Sequence, residues 1–279
     1  MPPALSIHGG RIHGGRIHGG PDAQGVPLYD FSTNANACGP CPEALAAVQQ
    51  ADATRYPDPA YTRLREALGA FHAVAPDCIV LAASASECIH RFTALAAWQG
   101  ARLVSVPRHG YGDYAQAAQA RGLAVVHDAA APAGLQWACE PASPLGGVDL
   151  QRARWALKSE APGTPGAASA HPLRVLDCAY APLRLDGTLW PERVPGVWQL
   201  WTPNKALGLT GVRAAYAIAP HAEAAHRLAA LAPSWPLGAH GVALLAAWVQ
   251  PSVQRWLADC LPRLRSWKTR QQALCTTLG

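Results

Sequence analysis

Apolar and polar positions follow two patterns along this chain, and each pattern predicts one kind of element. Short continuous apolar runs, such as residues 197–201 and 214–219, predict buried strands. Apolar residues that recur every three or four positions predict helices, the longest over residues 251–278. Further strands are predicted over 78–82, 103–106, 122–127 and 175–176, and further helices over 42–51, 62–71, 83–98, 148–159, 221–231 and 238–249. Strands that alternate with helices favour an α/β fold with a mostly parallel sheet.

Polar residues interrupt the apolar pattern where two of these predicted strands end. Lys205 follows the strand over 197–201, after the break formed by Thr202, Pro203 and Asn204. Asp177 stands at the end of the preceding strand, with Tyr180 three residues further on. Ligands bind at the carboxyl ends of the strands in open α/β sheets. The pattern therefore predicts that an amine, a carboxylate and a phenol meet at one edge of the sheet.

Lys205 differs from the other lysines in its surroundings. The chain has 23 basic residues, and the lysines among them are Lys158, Lys205 and Lys268. Lys205 alone lies between two apolar runs, where low polarity disfavours the ammonium form and makes the neutral amine available. Such an amine can react with the aldehyde of a carbonyl cofactor. The alternative is a lysine that only solvates a turn.

Composition sets limits on the class of protein. A chain of 279 residues with 50% apolar residues can form one large domain or two smaller ones. The net charge of +5 is mild, and no basic run interleaved with aromatic residues indicates a nucleic-acid partner. No apolar run reaches the length that spans a membrane, and the amino terminus has no apolar stretch of the kind found in secretory leaders, so a soluble, cytoplasmic protein is expected.

Eight cysteines are scattered through the chain and read as reduced thiols of an intracellular protein. Cys38 and Cys41 form a CxxC motif, which leaves a redox pair open. A turn built on the intervening Gly-Pro explains the same residues. A zinc site would need a second pair of this kind, so no metal site is predicted here.

A five-residue repeat, RIHGG, occupies residues 7–20 and places His8, His13 and His18 at equal spacing. Its glycine content predicts a flexible segment. Three histidines could bind a metal ion, but nothing in the pattern fixes their geometry. Duplication of one short unit is the simpler explanation.

Four motifs carry a resemblance to a known family. The segment TPNKALGLTGVR, residues 202–213, resembles the lysine motif of fold-type I aminotransferases, which depend on pyridoxal phosphate. Residues 30–39, 55–58 and 110–114 resemble further motifs of the histidinol-phosphate aminotransferase branch and, within it, of the threonine-phosphate decarboxylases of cobalamin biosynthesis. The resemblance runs from about His18 to the end of the chain.

The resemblance implies a domain organisation. It implies a three-layer α/β/α fold with a mostly parallel sheet, which forms a pyridoxal-phosphate-binding large domain over residues 29–235. Residues 1–28 would be an amino-terminal segment that contains the repeat. Residues 236–279 would begin a small carboxy-terminal domain that is incomplete here, because family members continue further and carry an arginine that binds the substrate carboxylate.

The resemblance also implies roles for single residues. Lys205 would bind the cofactor covalently, Asp177 would keep its ring nitrogen protonated, and Tyr180 would hydrogen-bond its ring oxygen. Ser143 stands where the family has an asparagine for that same oxygen, which weakens the expected cofactor binding. The resemblance places Tyr111 on the ring face, and Tyr56 at the cofactor phosphate of a second subunit. It implies that His18 and Asn34 contact the substrate. The residues implied for the cofactor phosphate of the same subunit are Ser84, Ala85, Thr202 and Arg213.

The resemblance implies two chemistries and leaves them open. The HGG motif and the segment FSTNAN favour a lyase that decarboxylates L-threonine O-3-phosphate to aminopropanol phosphate. Transamination of a histidinol-phosphate type of substrate is the alternative. A non-catalytic, truncated homologue is a third possibility, motivated by Ser143 and by the early end of the chain. The expected partners are a small phosphorylated amino acid and a second copy of the chain, and neither nucleic acid nor a membrane.

Overall fold

The computed structural model describes residues 7–8, 11–13, 16–21, 23, 25–30, 32–127, 131–158, 172–187 and 193–278. For residues 7–18 and 156–158 it describes the backbone of the listed positions and not the side chains. The predicted division into segments ending at residues 28 and 235 stays a prediction.

Strands and helices alternate through most of the described chain. The strands are β1 (Ile7–His8), β2 (Arg11–His13), β3 (Arg16–His18), β4 (Tyr29–Asp30), β5 (Ile79–Ala82), β6 (Leu103–Ser105), β7 (Ala124–Val126), β8 (Leu135–Cys139), β9 (Leu173–Asp177), β10 (Val197–Trp201) and β11 (Ala215–Ile218). The helices are α1 (Pro42–Gln49), α2 (Thr62–His72), α3 (Ala85–Trp98), α4 (Gly112–Gln119), α5 (Leu150–Lys158), α6 (Ala222–Ala229), α7 (Ala239–Trp248) and α8 (Pro251–Leu278). Short 3-10 turns cover Pro76–Cys78 and Ala181–Leu183.

Seven of these strands form one sheet in the order β5-β11-β10-β9-β8-β6-β7. The pairs β10–β9, β9–β8, β8–β6 and β6–β7 are parallel, whereas β11 is antiparallel to both β10 and β5. The predicted mostly parallel sheet is therefore confirmed. Because β9 and β10 are parallel neighbours, Asp177 and the residues after Trp201 lie at the same edge of the sheet.

Two helix layers cover the sheet, which makes the fold three-layered, as predicted. Residues of α1, α2, α5, α7 and the start of α8 pack on one face, in a core that contains Trp155, Trp201 and Trp248. Residues of α3, α4 and α6 pack on the other face, around Phe92 and Trp198. Because both faces are covered, β5, β8, β10 and β11 are buried along their whole length. Accordingly, β5 and β11 are continuous apolar runs, and β8 and β10 each contain a single glutamine.

The repeat at the amino terminus departs from the sequence prediction. We expected a flexible segment, but β2 and β3 pair in an antiparallel ladder that sets Ile12 opposite Ile17. The two strands are the RIH segments of two successive copies, so each contributes the same three residues to the ladder. β1 pairs in parallel with β4. Since the side chain of His18 lies outside the described residues, its predicted substrate contact stays a prediction.

No helix in the described ranges is long and apolar enough to cross a lipid bilayer. All eight cysteines fall within those ranges, and each is a free thiol. The described side chains contain no cluster of three histidine, cysteine or acidic residues that could hold a metal ion.

Candidate active site

Lys205 lies in the turn that follows β10, at the edge of the sheet where the parallel strands end. Its side-chain nitrogen Nζ lies 4.3 Å from the centre of the Tyr180 ring and 5.8 Å from the centre of the Tyr111 ring. Tyr180 follows β9, and Tyr111 precedes α4. Three elements distant in sequence therefore bring an amine and two aromatic rings together; the strand-end pattern predicted the meeting of Lys205 with Tyr180, and the resemblance implied Tyr111.

A loop from the amino-terminal part of the chain holds the Lys205 turn in place. The backbone N–H of Asn36 donates to the carbonyl of Lys205 at 2.9 Å, and the Asn36 side-chain amide donates to the carbonyl of Ala206 at 2.9 Å. The N–H of Cys41 donates to the carbonyl of Leu207 at 2.8 Å. Because these bonds satisfy three successive carbonyls, the turn is fixed from outside the sheet.

Gly208 completes this contact between the loop and the turn. Its φ of +67° lies in the left-handed region, which glycine adopts without steric cost. A Cβ at this position would lie 2.6 Å from the carbonyl oxygen of Gly39. The close approach of the loop therefore requires glycine at this position.

The pKa of the Lys205 amine shifts in the direction opposite to the sequence expectation. Burial lowers this pKa, but the hydrogen bond and electrostatic attraction to Tyr180, together with the electrostatic effects of Asp177 and Tyr111, outweigh burial and raise it overall. The expectation that apolar walls would favour the neutral amine was wrong. The sequence predicted that Asp177 and Tyr180 lie near this amine, but it did not show that their effect on the pKa outweighs burial.

Asp177 is buried at the carboxyl end of β9, with both of its carboxylate oxygens hydrogen-bonded. The Tyr114 hydroxyl donates to Oδ2 at 2.6 Å, and the N–H of Ala179 donates to Oδ1 at 2.8 Å. Burial still raises the pKa of this carboxyl group, although the two donors and the Lys205 charge act against the rise. The site thus contains a buried acid that is electrostatically coupled to the amine.

Tyr114 is a residue of the site that the sequence reasoning missed. Its ring stacks on Trp137, with ring centres 4.6 Å apart and planes at 15°, and its hydroxyl reaches Asp177. The signal was the second aromatic residue of the GYGDY motif, one helical turn after Tyr111. Tyr111 itself lies edge-on to Tyr114 and shares a 3.1 Å hydrogen bond with the hydroxyl of Ser86.

Some of the residues predicted for the cofactor phosphate already make hydrogen bonds within the protein, and others do not. The hydroxyl of Ser84 accepts the N–H of Glu87 at 3.0 Å, which makes Ser84 the N-cap of α3, and Ala85 is the first residue of that helix. The Thr202 hydroxyl lies 2.9 Å from the carbonyl oxygen of Ala214. Both hydroxyls are thus already bonded within the protein.

Two kinds of donor remain for a phosphate. The backbone N–H groups of the first turn of α3 point out of the helix and favour an anion. The Arg213 side chain is exposed, and it makes no hydrogen bond or ion pair with any residue that the structure describes. An anion at this place would therefore rely on backbone groups and on one guanidinium more than on hydroxyls.

Ser143 and Asn34 line one cavity together with Tyr180. Ser143, predicted to assist at the ring oxygen, and Asn34, predicted to contact the substrate, therefore line the same cavity. Tyr56 lies elsewhere: it is 78% exposed, and its ring stacks on Trp235 with ring centres 4.5 Å apart.

Comparison with known proteins identifies the family. Residues 26–164 match the family model described as aminotransferase class I and II. The histidinol-phosphate aminotransferase of Ruegeria pomeroyi is 30% identical over 278 residues, which cover 90% of this chain and 72% of that protein. The chain belongs to the class I and II aminotransferase family. Members of this family are pyridoxal-phosphate-dependent enzymes, so the predicted family, enzyme class and cofactor are confirmed.

Solved structures support the same fold for this aminotransferase-family chain. The histidinol-phosphate aminotransferase of Clostridium acetobutylicum superposes with a TM-score of 0.74 at 17% identity, covering 90% of this chain and 78% of that one. The enzyme from Sinorhizobium meliloti, solved in complex with pyridoxal-5'-phosphate, gives 0.67 at 21% identity over 85% and 68%. The L-threonine-O-3-phosphate decarboxylase of Porphyromonas gingivalis gives 0.63 at 18% identity over 80% and 70%.

The side chains of this aminotransferase-family site fit the chemistry of the cofactor. Pyridoxal phosphate needs an amine for its aldehyde, an acid for its ring nitrogen and donors for its phosphate. Lys205 and Asp177 supply the first two at neighbouring strand ends, and Arg213 with the first turn of α3 supplies the third kind. The roles of the individual residues remain proposals.

Proposed function

We propose that this chain is a pyridoxal-phosphate-dependent enzyme that acts on a small phosphorylated amino compound. The observation that carries this proposal is the placement of the Lys205 amine 4.3 Å from the Tyr180 ring, with electrostatic coupling to the buried Asp177. An amine, a phenol and a buried acid at adjoining strand ends form a site for an aldehyde cofactor rather than a solvated turn.

Each residue has a proposed role that its surroundings support. When bound, pyridoxal phosphate supplies an electron sink for charge that develops at the substrate α-carbon. The Lys205 amine would hold the cofactor through its aldehyde group, and as a free amine it would move a proton to or from the substrate α-carbon. Asp177, held by Tyr114 and Ala179, keeps a proton on the ring nitrogen.

The remaining contacts orient the cofactor and the substrate. Tyr180 and Ser143 donate to the ring oxygen, and Tyr111 packs on the ring face. Arg213, Thr202 and the first turn of α3 at Ser84 and Ala85 bind the phosphate. Asn34 lines the substrate side of the cofactor. His18 contacts the substrate as well, as the family resemblance implies. Tyr56 reaches the phosphate of a second copy of the chain, which its 78% exposure permits.

Two reactions on a phosphorylated substrate are supported by different observations. Decarboxylation of L-threonine O-3-phosphate is supported by the HGG and FSTNAN segments and by the likeness to the Porphyromonas decarboxylase. Transamination of a histidinol-phosphate type of substrate is supported by the names of the curated relatives from Ruegeria pomeroyi and other bacteria. We favour decarboxylation as the first reading, because Asn34 of the FSTNAN segment lines the cavity beside Tyr180, and Gly20 of the HGG segment donates to Ser32 of the same loop.

The covalent role of Lys205 is tested by visible absorbance. Addition of pyridoxal phosphate to the wild-type chain should give a yellow protein whose absorbance survives gel filtration, and Lys205→Ala should lose that absorbance. Lys158→Ala, on α5, is the matched lysine control and should stay yellow. A colourless wild-type protein that is folded by circular dichroism would sink the proposal in favour of a non-catalytic homologue.

The reaction is tested with the yellow wild-type protein. L-Threonine O-3-phosphate should release CO2 and leave aminopropanol phosphate, with no keto acid or aldehyde. Transfer of the amino group from histidinol phosphate to 2-oxoglutarate, without CO2 release from threonine phosphate, would establish transamination instead. If the cofactor is stably bound and neither reaction occurs, both substrate assignments are wrong.

A further inference from the structure

A cavity of about 280 Å³ opens beside Tyr180, the residue that faces the Lys205 amine. Its walls come from the amino-terminal loop, from the turn after β8, from the 3-10 turn after β9 and from α8. Side chains from these four places include Asn34, Ser143, Arg184 and Lys268. A ligand in this cavity would therefore lie next to the proposed cofactor site and meet several hydrogen-bond donors.

Arg184 is one of the residues that line this cavity. The side chain is 16% exposed, and its Nη2 forms an ion pair with Oε1 of Glu140, whose own side chain is 3% exposed. The other oxygen of Glu140 accepts the N–H of Asp149 at 2.8 Å. A guanidinium carries five N–H groups in a rigid fork, and the described residues show no second hydrogen bond from the Arg184 side chain. One nitrogen of the guanidinium is thus anchored to Glu140, and its other N–H groups have no hydrogen-bond partner among the described residues.

The other donors on the wall are available in the same way. Neither the Asn34 amide nor the Ser143 hydroxyl makes a side-chain hydrogen bond within the described part of the chain. Lys268 is already paired with Asp186, with Nζ 2.5 Å from Oδ2, and that pair is more exposed than the Arg184 pair. Arg184 is therefore the partly buried cation around which an oxyanion in the cavity would be bound.

We propose that Arg184 binds the phosphate group of the substrate and so determines that the substrate is a phosphate monoester. The inference rests on the proposed function, because it places the substrate beside the Lys205 amine. The two candidate substrates differ in whether they carry a carboxylate, but both carry a phosphate. A fork of donors held in place by Glu140 matches phosphate geometry and remains paired when no ligand is bound.

Asn34 and Ser143 complete this phosphate site with neutral donors. The anchoring Glu140 compensates the Arg184 charge in the absence of ligand, so a phosphate adds charge-assisted hydrogen bonds without displacing an internal pair. A lysine at position 184 would keep the charge but lose the planar fork. The site is thus expected to distinguish the two cations.

Calorimetry on the cofactor-loaded chain tests the proposal with 2-propyl phosphate, a monoester that lacks an amine and cannot react with the cofactor. Arg184→Gln alone would leave Glu140 buried without its partner, so the main variant is Arg184→Gln with Glu140→Gln. It should bind the probe about 10- to 100-fold more weakly, the size expected for lost charge-assisted hydrogen bonds. Arg184→Lys should show a smaller loss, and Arg227→Gln, which removes the Glu223 pair on α6, should show none.

Two further measurements give the test its meaning. The double variant should keep the thermal midpoint and the visible absorbance of the bound cofactor, and its KM for the phosphorylated substrate should rise while kcat changes little. Probe affinity equal to that of the wild type in a folded double variant would overturn the assignment of Arg184. So would an equal loss in Arg227→Gln.

Failure of the proposed function gives a different result. A wild-type chain that does not become yellow fails the proposed function, and calorimetry on the cofactor-free chain then still compares wild type with the double variant. If the chain becomes yellow but its affinity for the probe does not depend on Arg184, the proposed function stands and the assignment of a phosphate site to this cavity is wrong.

Discussion

The hydroxyl of Tyr114 donates a 2.6 Å hydrogen bond to the carboxylate of Asp177 in the interior of the protein. The donor favours the ionised form of a carboxyl group whose pKa burial raises. Because the Tyr114 ring is stacked on Trp137, the hydroxyl has a fixed direction. Tyr114 therefore positions the acid that is proposed to hold the proton on the cofactor ring nitrogen.

Tyr114→Phe should weaken cofactor binding while it preserves the stacking on Trp137. Loss of the donor raises the pKa of Asp177 further, so less of the carboxylate is ionised at neutral pH. Cofactor affinity should fall by about 10-fold or more, as for other charge-assisted hydrogen bonds. Absorbance titration over a pH series measures this, and the deficit should shrink as the pH rises.

The control for Tyr114 is Tyr61→Phe, which removes a buried hydroxyl whose hydrogen bond goes to the carbonyl of Leu237 and not to Asp177. Its pH dependence of cofactor affinity should match that of the wild type. Identical pH profiles for Tyr114→Phe and the wild type would show that the Tyr114 hydroxyl has no influence on the ring nitrogen.

Gly208→Ala should disturb the Lys205 turn. A methyl group there meets the Gly39 carbonyl at 2.6 Å, and the φ of +67° strains any other residue. The expected cost is about 1–3 kcal/mol of unfolding free energy, with weaker cofactor binding because the turn shifts. Gly211→Ala is the matched control, since a Cβ there meets open space. Equal stability of the two variants by urea unfolding would contradict the close packing of the loop.

His72 should make the stability of the fold depend on pH. Burial, with a smaller effect of the Arg193 charge, lowers the pKa of His72 from 6.5 to about 4. The unfolded chain therefore binds this proton more readily than the folded one, and stability falls as the pH drops from 6.5 to about 4. The loss at this residue is on the order of 3 kcal/mol.

Urea unfolding at several pH values measures the contribution of His72. His72→Gln has no group to protonate there, so its stability should fall less steeply over the same pH range. His226→Gln, on the exposed face of α6, should keep the wild-type slope. Parallel curves for His72→Gln and the wild type would mean that His72 is not the titrating group.

Ser143→Asn should tighten cofactor binding, because it restores the longer donor that the family has at this position. A gained neutral hydrogen bond corresponds to about a 2- to 10-fold higher affinity. Ser143→Ala should bind no better than the wild type. Absorbance titration of the three chains measures the order, and an asparagine variant that binds more weakly would place the ring oxygen elsewhere.

Local pattern was sufficient for most of the fold and for part of the site. The strands that end at Asp177 and before Lys205 were predicted because their apolar runs are continuous and their breaks are sharp. α8 was predicted with the bounds that the structure has. Because neighbouring parallel strands end at the same edge of the sheet, the meeting of Asp177 and Lys205 there could be predicted without knowledge of side-chain contacts.

The parts that were missed depend on distant contacts. β8 was not predicted, because Gln136 interrupts its apolar run beside an alanine- and proline-rich segment. The strand is central because β6 and β9 pair with it, and the Gln136 oxygen accepts a 2.9 Å hydrogen bond from Trp155 on α5. The raised pKa of Lys205 and the roles of Tyr114 and Asn36 likewise arise from residues that meet only in the folded chain.

The hydrogen bonds from Asn36 to the Lys205 turn constrain the order in which this protein folds during synthesis. The two partners are 170 positions apart for the side-chain contact, so a ribosome must deliver most of the sheet before the early loop finds its place. Contacts of such long separation form late, because a large loop must close first. The turn that carries Lys205 thus reaches its final geometry only after the distant loop has packed against it.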